Sequence, residues 1–325
     1  MAFRRPFPRL VPTLIVTALL VLGGAGGAWA GQAGVSGCGP APDPALVLKQ
    51  NLLGDPPDGG PMPDIRRAYV TRWDPAHHVP AWSAWQEEEA FRQTPPRKGR
   101  WSSFRTDPEH AEVNDRDYVG WMAVLGLARG HIVPFAIAGG DRDGDGLLAA
   151  DPKTGALVDP DDACALYEIN SFTNIAPQFQ VAFNGQGGLW FAAEQAERDL
   201  MERGRRLLVM AGTLFLPGRP VKEIGDRREP EAEWQIGVPH GFWRLVADPA
   251  AGEAVAFLFD HDGDVPHGCP MDAAELARCI VPVTTLEAAT GLHFWRGADP
   301  ALAARLRSGD GARIWQRWTV PRSTS

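Results

Sequence analysis

The sequence is short of positive charge: 32 Lys and Arg face 40 Asp and Glu, a formal net charge of −8. The first thirty residues hold Arg4, Arg5 and Arg9 and no acid, so setting them aside leaves 29 basic side chains against 40 acidic ones, a charge of −11. Proteins that coat or store nucleic acid hold it by neutralising phosphates with Lys and Arg, and this balance excludes such a role. It leaves room for an enzyme that must release its product. Cysteine is equally scarce, with four residues at 38, 164, 269 and 279. An even count suits disulfides in an oxidising compartment. Cys269 and Cys279 stand only ten positions apart and are expected to close a small local loop, which leaves Cys38 to Cys164 by elimination. No internal repeat is present, so a stacked-repeat architecture is not in question.

Long apolar runs are absent apart from Leu10 to Leu22. That stretch follows the three arginines and gives way to Gly-rich sequence and Ala28-Trp29-Ala30, the pattern of an export signal with its cleavage site. Residues 1–30 are therefore read as a signal peptide, and the remainder as secreted or periplasmic. An uncleaved membrane anchor is the alternative, and Val35-Ser36-Gly37-Cys38 loosely matches an acylation site that would make the protein a lipoprotein.

What is present reads as one α+β domain. Residues 31–64, rich in Gly, Pro and Asp, read as a flexible arm, and the domain is expected over 65–300 with a short tail at 301–325. Alternation in Arg67 to Arg72 predicts a strand, with Trp82 to Trp85 as its hairpin partner across a turn from Asp74 to Pro80. Leu207 to Ala211, Phe242 to Val246 and Ala254 to Phe259 read as buried strands. Leu189 to Arg203 has a helical apolar face, and Val283 to Thr290 a shorter one ended by Gly291. Strands with few alternating helices favour an antiparallel sheet over a doubly wound one. The twelve tryptophans are scattered, which favours core packing over base stacking.

An acidic segment at about 139–162 stands apart. Asp141, Asp143, Asp145 and Gly146 keep the one, three, five, six spacing of a calcium loop. The twelfth position is Pro152 instead of Glu, with Asp151 one place early. The segment is either a variant calcium site or a solvated acidic turn.

Chemistry concentrates around Arg129-Gly130-His131, Thr173 to Gln178 and Phe183-Asn184. Phosphodiester hydrolysis needs a base to activate water, a cation against the developing charge, and help for the leaving oxygen. His131, a hard metal ion and Arg129 supply all three, and the amide oxygen of Asn184 is a suitable magnesium ligand. Together with Arg67-Ala68-Tyr69, Pro80-Ala81-Trp82, Phe104 to Pro108, Asp117-Tyr118, Trp190 with Glu194, Ala211-Gly212, Val238-Pro239, Phe242-Trp243, Ala256 to Phe259 and Thr290 to Leu292, these motifs resemble the DNA/RNA non-specific endonucleases. These are ββα-metal (His-Me finger) nucleases that include secreted bacterial enzymes and mitochondrial endonuclease G. The resemblance spans roughly Ile65 to Trp295.

The resemblance implies a ββα-metal fold and sugar-nonspecific cleavage of DNA and RNA with Mg2+, or Mn2+, leaving 5′-phosphate ends. It makes His131 the general base and Asn184 the direct metal ligand. Glu194 becomes the carboxylate that orders water around the metal, Arg129 and Arg100 the phosphate-contacting arginines, and Asn174 the asparagine that positions the metal loop. Three features depart from the pattern. Ala128 stands where the signature begins with Asp. The glycine-rich stretch between Asn184 and Trp190 is longer than usual. The 53 positions from His131 to Asn184 exceed the usual gap, which identifies the acidic segment as an insertion near the active-site face. Because of Ala128, a catalytically weakened extracellular protein that binds calcium or nucleic acid on the same fold is the second reading. Of the other histidines, His240 reads as structural or substrate-edge, and His77 and His78 as loop residues.

Overall fold

The computed structural model describes residues 38–41, 43–228, 235–273 and 275–320. The export signal expected at 1–30 lies outside the described residues. In chain order the elements are α1 Pro44–Asn51, β1 Asp64–Arg66, β2 Tyr69–Asp74, β3 Val79–Glu87, α2 Trp121–Leu125, β4 Leu127–His131, α3 Pro160–Glu168, β5 Ile175–Phe179, α4 Leu189–Glu202, β6 Leu207–Leu214, β7 Lys222–Ile224, β8 Ile236–Val238, β9 Gly241–Asp248, β10 Glu253–Asp260, β11 Ile280–Val281, α5 Val283–Thr290, α6 Pro300–Ser308 and α7 Gly311–Thr319. Seven strands form one sheet in the order β1-β2-β3-β6-β9-β10-β11, with every neighbouring pair antiparallel.

Both faces of this sheet are covered, which is why its central strands read as unbroken apolar runs. Side chains alternate along a strand, and on β10 Val255, Phe257 and Phe259 enter one core while Ala254, Ala256 and Leu258 enter the other. The first core also takes Trp190 and Leu200 of α4, Phe183, and Ile314, Trp315 and Trp318 of α7. The second takes Val47 of α1, Leu286 of α5 and Leu306 of α6. Trp82, Trp85, Trp190, Trp243 and Trp318 are all fully buried in these layers.

Three expectations need correction. Arg67 and Ala68 do not lie in a strand; they form the turn that joins β1 to β2. The Gly/Pro-rich arm is packed rather than free from residue 38 on: Cys38 bonds Cys164 of α3, and the Asn51 side chain accepts the backbone N–H of Gln86 at 2.8 Å. The C-terminal segment is not an appended tail either, since α7 lays Trp315 against Phe257 with ring centroids 5.0 Å apart. The second disulfide joins Cys269 to Cys279, as the spacing predicts. Among the described residues no helix is long and apolar enough to cross a membrane.

Candidate active site

A small hairpin stands on one face of the main sheet. Strand β4 pairs with β5 from Leu127↔Phe179 to His131↔Ile175, so His131 is the last residue of its strand. A single wide turn over Gln180–Asn184 then leads to α4. Residues 129 and 131 share one side of β4 and Gly130 faces the other. A Cβ at Gly130 would lie 2.1 Å from the Gln178 side chain, so only glycine fits between Arg129 and His131. Helix α4 buries Leu189, Trp190, Ala193, Glu197, Leu200 and Met201, a helical stripe that turns Glu194 and Arg198 toward the hairpin.

The result is an open cavity of about 500 Å³ lined by Arg97, Ala128, Arg129, His131, Asn184, Glu194 and Arg198, among others. His131 is only 8% exposed, and burial, reinforced by Arg97, lowers its pKa to about 3. It is therefore neutral at physiological pH, the state a base requires. Its tautomer follows from Asn170. The Asn170 amide donates both hydrogens, to Trp101 O at 3.2 Å and Leu166 O at 3.1 Å, so its Oδ1 faces His131 Nε2 at 3.2 Å. An amide oxygen only accepts, hence Nε2 carries the proton and Nδ1 is bare. Arg97 Nη2 lies 3.3 Å from Nε2 and 3.5 Å from Nδ1, so its positive charge sits beside both ring nitrogens.

Arg129 is anchored by Asp115 at 2.8 Å and rests over Phe104, 5.1 Å from its centroid. Glu194 pairs with Arg198 at 3.1 Å; burial raises its pKa while Arg244 and Arg198 oppose the rise. Asn184 donates Nδ2 to Gln180 Oε1 at 3.3 Å, which leaves its carbonyl oxygen for an ion. Asn184 and Glu194 are hard oxygen donors, and all four cysteines are in disulfides, so the cavity suits a hard divalent cation.

Two sequence expectations land elsewhere. Arg100 is exposed, lies outside the cavity and rests over Trp101, 5.9 Å from its centroid. Arg97 stands at the cavity in its place. Gly99, at φ +56°, turns the chain between the two arginines. Asn174 is fully buried behind the hairpin: its Oδ1 accepts Val133 N at 2.9 Å, and its Nδ2 reaches Val133 O and Ile169 O, both at 2.9 Å. It holds the loop after His131 and does not face the cavity. Sequence reasoning missed Arg97, Arg198 and Asn170. Arg198 had a signal, four residues after Glu194 on one helix face; Asn170, 39 positions from His131, had none.

The acidic insertion lies apart from this cavity. Carboxylate oxygens of Asp141, Asp143 and Asp145 come within 4.8 Å of one another, and Asp143 does the same with Asp159 and Asp162. Asp151 is turned into its own loop, accepting Lys153 N at 2.9 Å and Thr154 N at 2.7 Å. Burial raises the Asp162 pKa to about 6, and Asp143, Asp159 and Asp141 add to the rise. His240 is structural: its Nδ1 accepts Leu216 N at 2.9 Å, and its Nε2 meets Pro220 O at 3.0 Å.

A family model, DNA/RNA non-specific endonuclease, matches residues 54–301. The chain belongs to the DNA/RNA non-specific endonuclease family. It is thus a nuclease, a phosphodiester hydrolase, and the hairpin-and-helix cavity is this endonuclease's candidate active site. A solved structure of EndoG in complex with EndoGI, described as showing the mechanism of EndoG inhibition, is similar in fold. Its TM-score is 0.52 at 18% identity, covering 78% of this chain and 91% of that one. No curated protein sequence matches the chain. The endonuclease has Ala128 opposite Gln178 in the hairpin register, and the Gln178 amide is buried with neither polar atom partnered.

Proposed function

We propose that this endonuclease hydrolyses both DNA and RNA, using His131 as general base at Nδ1 and leaving 5′-phosphate ends. The observation that carries the reading is the joint placement, in one cavity, of a neutral histidine with a bare Nδ1, two oxygen donors and three arginines. Asn184 would hold a magnesium ion, with manganese as a substitute, and Glu194 would order the surrounding water. When bound, such an ion neutralises charge on the phosphate and stabilises the leaving oxygen. His131 takes the proton from attacking water at Nδ1 while Asn170 keeps Nε2–H in place. Arg97, Arg129 and Arg198 hold the phosphate by its oxygens, and contacts to phosphate rather than base edges carry no sequence preference.

Digestion of plasmid and of RNA by the purified protein in magnesium, beside His131→Ala, tests this. Wild-type cleavage of both substrates with a loss of at least about a thousandfold in the variant is expected. Equal cleavage by wild type and variant would remove His131 as the base, and no cleavage by the wild type in magnesium or manganese would leave the binding-protein reading in its place. The two disulfides support export to an oxidising compartment, and we place the protein there, secreted or periplasmic. The Asp141, Asp143, Asp145 loop we assign to calcium; its Asp143 also lies close to Asp159 and Asp162. A rise in melting temperature with calcium that Asp143→Ala abolishes is the expected result; no rise leaves an acidic turn.

A further inference from the structure

The acidic insertion is built against the segment that carries the cavity's arginine. Gly139 N and Gly140 N donate to Phe91 O and Gln93 O at 3.1 and 3.4 Å, and a Cβ at Gly139 would strike Gln93 O at 2.3 Å. At the far end of the insertion, a bridge between Ala150 and Leu157 presents the Gly155 carbonyl, which accepts the indole N–H of Trp101 at 2.8 Å. Gly155 has φ +73°, and a Cβ there would sit 3.4 Å from that same indole nitrogen. Both the conformation and the close approach call for glycine.

Trp101 is buried and stacks on Tyr167 of α3, with centroids 5.2 Å apart and planes at 14°. Its own carbonyl accepts Asn170 Nδ2, and Asn170 Oδ1 accepts His131 Nε2–H. Three consecutive hydrogen bonds therefore run from the insertion to the catalytic ring: Gly155 to Trp101, Trp101 to Asn170, Asn170 to His131. No second protein acceptor for Nε2 is found among the described residues; the only other group near it is the Arg97 guanidinium, which cannot accept.

We propose that Trp101 is a positioning residue through which the insertion orients His131, so that the insertion is a working part of the active site and not a surface decoration. The proposal rests on His131 being the general base. Losing the Gly155 bond frees the Trp101 carbonyl to move, which leaves Leu166 O as the one remaining acceptor for the Asn170 amide and lets its Oδ1 tilt off His131. The ring loses the acceptor that keeps its proton on Nε2, and Nδ1 is no longer reliably bare.

Two variants of the full chain test this: Trp101→Phe, which keeps the stack on Tyr167 and removes the indole N–H, and replacement of residues 151–156 by Asn-Gly, which removes the Gly155 carbonyl and leaves Trp101 intact. Each is expected to lower kcat about tenfold or more while KM stays within about twofold, since misplacing a catalytic group costs rate rather than binding. In long-range proton–nitrogen spectra, His131 is expected to be an Nε2–H tautomer in the wild type and a mixture in both variants. Wild-type kcat in both variants overturns the proposal. So does a fall in kcat with the tautomer unchanged, which would mean only loosened packing. If these variants keep full activity while His131→Ala is inactive, the insertion is uncoupled but the base assignment stands. If His131→Ala is also active, the base assignment itself falls.

Discussion

Acid should loosen the β4–β5 hairpin of the candidate site through His261, a residue outside the cavity. This ring is 2% exposed. Its Nδ1 lies 3.1 Å from Pro239 O, and a carbonyl only accepts, so Nδ1 carries the proton. The bare Nε2 accepts the backbone N–H of Phe179 at 3.0 Å, at the end of β5 just before the turn that carries Asn184. A second proton on Nε2 would face that N–H donor to donor, and burial already lowers the His261 pKa to about 4. The folded pKa is thus below the unfolded value of about 6.5. Stability from this group is complete above pH 6.5 and is lost as pH falls toward 4, because only the unfolded chain takes up the proton in that window. Between pH 8 and pH 5 the loss is about 2 kcal/mol, and about 3 kcal/mol below pH 4. His261→Gln can accept from Phe179 and donate to Pro239 yet does not titrate. It forfeits ring contacts with Phe179, Phe183 and Phe242, so at pH 8 it should be the less stable protein. The gap between wild type and variant should shrink by about 2 kcal/mol in urea denaturation at pH 5. The difference between the two proteins cancels every carboxylate they share. A gap that stays constant between the two pH values would refute the assignment of a neutral, acceptor-only Nε2.

Arg97→Ala should lower kcat by about 10² to 10³, the cost of one oriented donor at the phosphate, whereas Arg100→Ala should stay within about threefold; steady-state digestion separates them, and reversed effects would return the role to Arg100. Ala128→Asp offers an acceptor across the register from the unpartnered Gln178 amide, and should raise both kcat and stability, the latter by about 1 kcal/mol; a loss in both would show that the pocket has closed around alanine. Arg244 lies fully buried and meets Glu197 through two hydrogen bonds, one of 2.6 Å from Nε and one from Nη2. Glu87, 3.9 Å from Arg244, has its pKa held well above the usual carboxylate range by burial and by Glu197. Glu87→Gln should cost clearly less stability than Glu197→Gln, which removes the two hydrogen bonds of Arg244 at a cost of about 3 kcal/mol or more; equal costs in chemical denaturation would refute that ordering. Joint replacement of Cys38 and Cys164 by serine should cost up to about 5 kcal/mol, because the bridge closes a loop of 126 positions, and an unchanged denaturation midpoint would contradict that.

Whether a segment could be read from sequence depended on whether its partners are local. The β9–β10 hairpin was legible because both its faces are buried, so Phe242 to Val246 and Ala254 to Phe259 need no neighbour to declare themselves. Helix α4 carries its own stripe. The arm was not legible: Ala41, Val47 and Leu52 are too few to mark a core segment, and they are buried only because Asn51 reaches the Gln86 backbone and Cys38 reaches Cys164. Helix α7 does carry Ile314, Trp315 and Trp318 at helical spacing, but nothing in nine residues says that Phe257 lies under them. The same distinction divides the site. His131, Asn184 and Glu194 were readable because the hairpin and its following helix are contiguous units with short motifs. Arg97 and Arg100 were not separable, since they stand three residues apart in an irregular segment with Gly99 in a left-handed conformation between them. Asn170 could not be found at all, because its bond to His131 spans the whole insertion. That is the physical reason the sequence could place the insertion near the active-site face but not say what it touches: it enters the middle of a motif, yet its contacts with Phe91, Gln93 and Trp101 lie in a segment upstream of the motif, where no spacing rule would look for them.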